Sequence, residues 1–127
     1  MPPDGVDTDK GRPDGRPADY YLVERANGRA WDYSRSRREQ AKWDEHAAFM
    51  DALTDEGFIV LGGPVGGGDG EYNLLVIKAR GESEIRTRLA DDPWEGSILA
   101  ISSVKPWWVW LRAPVRPLNR RAGGEGR

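Results

Sequence analysis

The chain contains one histidine, His46, three residues after Trp43 and four before Met50, a spacing that puts it on the apolar stripe of a helix. Imidazole is the side chain that ordinarily titrates closest to neutrality, so the functional reading of His46 is a general base or acid. The structural reading is a buried, hydrogen-bonded core histidine, and spacing alone supplies no partner. The second candidate is Asp91-Asp92-Pro93-Trp94, which closes an expected helix. Two carboxylates at a helix C-terminus oppose the negative end of its dipole, at a cost of a few tenths to about 1 kcal/mol. A local rule broken in this way can mark a site. If Asp92 approaches His46, it would fix the imidazole tautomer and stabilise the protonated ring, as the third member of a triad does. Otherwise the segment is a plain helix end with two solvated acids.

Glycines at the end of a buried run, Gly62-Gly63-Pro64, either let a ligand approach the backbone or form a simple turn. Gly66-Gly67-Gly68-Asp69-Gly70 is followed by no Lys-Ser/Thr pair and by a strand, so it reads as a hairpin loop and not a phosphate cradle. Among the six tryptophans, Trp31, Trp43 and Trp94 are pocket candidates, and Trp107, Trp108 and Trp110 read as an interface core. One His without any Cys makes a poor metal site, and none is expected.

The elements that must position these residues follow from the hydrophobic period. Tyr20–Val23 reads as a strand before an Asn27-Gly28 turn. Ser36 with Glu39 matches a capping box opening a helix that carries Trp43, Ala47, Met50 and Leu53 inward and stops at Gly57. Phe58–Leu61 and Tyr72–Ala79 form a long-loop hairpin. A short helix over 82–91 has Ile85 and Leu89 inward and Pro93 as its stop, and a long strand covers 98–111. The order β-α-β-β-α-β predicts an α+β, ferredoxin-like protomer with a four-stranded antiparallel sheet and two helices on one face. In the last strand Trp107, Val109 and Leu111 would alternate with Trp108 and Trp110. Large apolar groups on both faces imply a homodimer with sheets face to face, unless the tails cover the open side.

Composition bounds the rest. The 127 residues allow one domain with tails, and 19 basic against 21 acidic residues disfavour nucleic-acid binding. Residues 1–19, with five Asp, four Pro and three Gly, read as a disordered tail, 20–112 as the domain, and 113–127 as a flexible basic tail. No apolar run approaches the roughly 20 residues of a membrane span. Met1–Gly5 lacks the start of a secretory signal, so a cytoplasmic location is expected.

Five segments in order resemble the YciI-like, or YCII-related, family of the dimeric α+β barrel superfamily: Glu45-His46, Asp55-Glu56-Gly57, Gly62-Gly63-Pro64, Ala90-Asp91-Asp92-Pro93-Trp94 and Val104-Lys105-Pro106-Trp107. The resemblance implies a ferredoxin-like protomer paired through its sheet, with a pocket between helices and sheet. It also implies that His46 and Asp92 form the active-site pair, with Asp91 the weaker candidate. The chain departs from the shortest members in a longer segment before His46, including Trp31-Asp32 and Arg37–Gln40. The expectation is a cofactor-independent lyase or isomerase acting on a small aromatic or lactone compound. His46 would move the proton, and Trp43, Gly63, Pro64 and Trp94 would shape the pocket. The rivals are a noncatalytic small-molecule-binding or accessory protein and, more remotely, an oxygenase or haem binder.

Overall fold

The structure, a computed structural model, describes residues 15–68 and 70–115. Six regular elements follow in the expected order: β1 (Tyr20–Asn27), α1 (Trp43–Asp55), β2 (Ile59–Val65), β3 (Tyr72–Ile77), α2 (Glu82–Leu89) and β4 (Leu99–Trp107). The strands form one antiparallel sheet in the order β2-β3-β1-β4. This is the ferredoxin-like arrangement.

Alternation along the strands decides which side is buried. Tyr21 pairs with Ile77, Val23 with Leu75 and Arg25 with Asn73, so these six residues share one face. Leu53 of α1 and Ile85 and Leu89 of α2 pack with the apolar members of that set into the main core, so both helices cover the same side. A second cluster, Trp31, Trp94, Ile98 and Leu99, with Trp43 against it, extends the core at the far end. The opposite face carries Leu22, Leu74 and Val76, together with Tyr20 and Trp107, whose rings lie 6.1 Å apart.

Several boundaries differ from the sequence expectation, each for a local reason. The Ser36–Glu39 box is formed, with Ser36 N–H donating to Glu39 Oε1 at 3.0 Å, but it closes a separate 3-10 turn over Arg37–Glu39. Helix α1 begins only after Lys42, which adopts the left-handed conformation with φ 62°. Gly57 ends α1 as expected: at φ 85° it lets Gly57 N–H reach Thr54 O and Phe58 N–H reach Leu53 O.

Strand β1 runs four residues beyond Val23. Strand β2 is not stopped by Gly62-Gly63-Pro64 but continues through it to Val65, because an edge strand tolerates a proline. Its expected buried run is broken by a bulge at Val60, leaving Val60 and Leu61 exposed. Helix α2 ends at Leu89, so the turns at 90–94 and not Pro93 terminate it.

Strand β4 ends at Trp107, which overturns the expected alternation through Leu111. Asp19 intervenes there, its N–H bonding Trp107 O and its carboxylate accepting Val109 N–H at 2.8 Å. Residues 15–19, assigned by composition to a tail, therefore run beside the end of β4. Trp108 Nε1–H donates to Arg16 O at 2.7 Å, while Trp110 and Leu111 lie exposed. The rest of the two expected tails, 1–14 and 116–127, and Asp69 of the hairpin loop lie outside the described residues.

Candidate functional site

The inward face of the sheet changes character partway along its length. Below Val23 and Leu75 it is apolar, but the next residues in step are Arg25 and Asn73. Arg25 is 1% exposed, and a guanidinium so placed needs compensating charge. Asp92, 3% exposed, supplies it: Arg25 Nη2–H donates to Asp92 Oδ2 at 2.6 Å. Glu95 Oε1 adds a second negative charge 3.1 Å from the same nitrogen, and Arg25 Nη1 reaches Met50 Sδ at 3.8 Å. Hydrogen-bond alignment is incomplete, since Arg25 Nε and Glu95 Oε1 have no bonded partner among the described residues.

His46 and Asp92, 46 positions apart in sequence, meet in this cluster. The imidazole Nδ1 lies 2.9 Å from Asp92 Oδ1 and 3.0 Å from Oδ2. An ionised carboxylate only accepts hydrogen bonds, so Nδ1 carries the proton and Nε2 remains the basic nitrogen. Burial alone would push the Asp92 carboxyl up. The bonds from His46, the Trp94 N–H and Arg25, with the charge of Arg25, outweigh it and hold the carboxyl below its ordinary value. Asp92 lies in the turns after α2 and not on its last turn, so the expected clash with the helix dipole is replaced by this bond set. Asp91 is exposed and takes no part in the cluster.

Trp94 fixes the ring plane. Its indole stacks on His46 with centroids 3.9 Å apart and planes 6° from parallel, and its Nε1–H donates to Ala41 O at 2.6 Å. Trp31 meets Trp94 edge-on, and Gln40 holds the intervening loop by bonding Asp32 N–H and O and Arg35 O.

A pocket of about 460 Å³, a size suited to a small molecule, opens between α1 and the β2 side of the sheet. Trp43, His46, Gly63 and Pro64 line it as expected. Trp94 does not: it is 0% exposed and supports His46 from behind. Asp92 is likewise behind His46. Arg25, Met50 and Asn73 also line the pocket, and sequence reasoning missed them. The signal was the two-residue step Tyr21-Val23-Arg25, hidden by ending the first strand at Val23.

Among the described residues no group of three or more His, Asp or Glu side chains could hold a metal ion, and no helix is long and apolar enough to cross a membrane. Fold and site together define the class, a ferredoxin-like α+β domain with a buried Arg-Asp-His cluster beside a pocket. The chain matches no family model, no curated protein and no solved structure.

Proposed function

We propose that the chain is a YciI-like protein of the cytoplasm, a cofactor-independent lyase or isomerase that moves a proton on a small aromatic or lactone compound. The observation that carries this reading is the 2.9 Å contact of His46 Nδ1 with Asp92 at a pocket that His46 lines. His46 Nε2 takes the substrate proton, and ionised Asp92 stabilises the resulting imidazolium. The open sheet face carrying Leu22, Leu74 and Trp107 supports pairing of two copies through it. Sedimentation as a monomer at high concentration overturns that part.

The test is deuterium incorporation from D2O into a panel of small lactones and ketones. Each of the variants His46→Ala and Asp92→Asn is read against its own folded fraction. Loss of exchange in both variants is expected, and full exchange in His46→Ala overturns the mechanism. One observation favours the noncatalytic binding reading: Arg25, at 2.6 Å, already draws on the charge of Asp92. Retention of a ligand without chemical change after prolonged incubation would decide for that alternative.

A further inference from the structure

The polar end of the pocket holds one group that the cluster does not use. Asn73 is 9% exposed, lines the pocket and stands beside Arg25 in the sheet register. Its side-chain amide has no bonded partner among the described residues. The amide is open to the pocket and free of partners among the described residues, so a ligand atom can take its hydrogen bond, and a ligand that covered it without doing so would leave it unpaired at a cost. Around it the wall is apolar, with Ile59, Leu75, Leu99 and Met50.

Charge narrows the ligand further. Among the described residues the one deeply buried arginine or lysine, Arg25, is already shared between Asp92 and Glu95, so a carboxylate entering this end of the pocket finds no unspent positive charge. Asp92 and Glu95 are not in the pocket wall, which at this buried end presents Arg25 and His46, so an amine is opposed there as well; the other charged lining residues, half-buried Arg37 and exposed Asp51, lie toward solvent. An uncharged molecule with one strong acceptor fits both conditions.

We infer that Asn73 is a substrate-binding residue that donates its Nδ2–H to the carbonyl oxygen of an uncharged, mostly apolar carbonyl compound. The chemical step rests on the proton-transfer reading above; the binding step does not. His46 Nε2 removes a hydrogen from the carbon beside the carbonyl. The C–H electron pair moves into the carbonyl system, giving an enolate whose oxygen accepts from Asn73, and the imidazolium then returns a proton to carbon.

Three ring-matched probes test this: cyclohexanone, cyclohexanecarboxylate and cyclohexylamine, titrated into the full chain and followed by NMR. The chain has three Asn and one Gln, so the Asn73 amide pair is identified by its disappearance in Asn73→Leu. Cyclohexanone is expected to shift that pair and to bind about tenfold or more weaker to Asn73→Leu and Asn73→Ser, with both charged probes similarly weaker on the unaltered protein. No shift up to tens of millimolar ketone, unchanged affinity in both variants, or tighter binding of a charged probe overturns the inference. Ketone exchange in D2O separates the two readings. A shifted Asn73 pair without exchange retires proton transfer and keeps the carbonyl site. Exchange at full rate in Asn73→Leu retires the carbonyl site and keeps His46.

Discussion

The imidazole of His46 lies flat against the indole of Trp94, 3.9 Å between centroids, while its Nδ1 is held by Asp92. Trp94 serves both contacts at once, because its backbone N–H also donates to Asp92 Oδ1 at 3.0 Å. One residue therefore sets the plane of the ring and helps to place the carboxylate that sets its rotation. Replacing Trp94 by Phe removes the indole N–H and leaves the Ala41 carbonyl without it. The expected loss is about 2 kcal/mol in a urea titration. The His46 ring protons, shielded by the indole, should move in the NMR spectrum, and an unchanged spectrum would refute the stack.

Asp92→Asn should destabilise the fold by about 3 kcal/mol at neutral pH, because Arg25 is left buried without its nearest charge. The loss should depend on acidity. Asp92 titrates below its ordinary value in the folded chain, so its contribution is fully present above the unfolded carboxyl value of about 3.9 and disappears as pH falls through the lower folded value. Denaturation curves of the two proteins should converge in strong acid; a gap that stays constant would count against the ion pair.

Arg25→Met keeps much of the side-chain length but takes from Asp92 and Glu95 the guanidinium they share. A loss of about 3–5 kcal/mol is expected. The double variant Arg25→Met with Asp92→Asn should recover part of it, since the two residues are in contact and their effects do not add. Strict additivity in the cycle would show that the pair is not coupled.

Two glycines should fail for different reasons. A Cβ on Gly28 would sit 2.1 Å from Ser97 O, backbone that cannot swing away, so Gly28→Ala is expected to cost about 3 kcal/mol and disturb the turn beneath Trp94. Gly57 has open space around it but φ 85°, so Gly57→Ala should cost only about 1–2 kcal/mol, by backbone strain alone. Thermal melts that ranked the two in the reverse order would contradict this account.

Much of the frame was readable because hydrophobic period is local. The six elements, the inward Ile85 and Leu89 and the stop at Gly57 all depend on residues within a few positions of one another. The meeting of His46 with Asp92 could be guessed from residue type, but only the packing of α1 against the turns after α2 joins them. Arg25 was missed because a polar residue after an apolar run reads as the end of its strand; Asn73 fell inside its expected strand, but nothing local marked it as facing the pocket, where its pairing with Arg25 places it. The Ser36–Glu39 box was sound chemistry attached to the wrong element, since a capping box closes a single turn as readily as a helix.

Both outer strands of the sheet carry a proline, Pro64 in β2 and Pro106 in β4, and each is bulged against its neighbour, at Val60 and at Ser102. A border without a continuous row of donors is a poor template for strand addition. The wall of the pocket formed by β2 is thus an edge that another chain cannot readily zip onto. The same interruption on β4 makes the opposite border equally unsuited to edge-to-edge growth of the sheet.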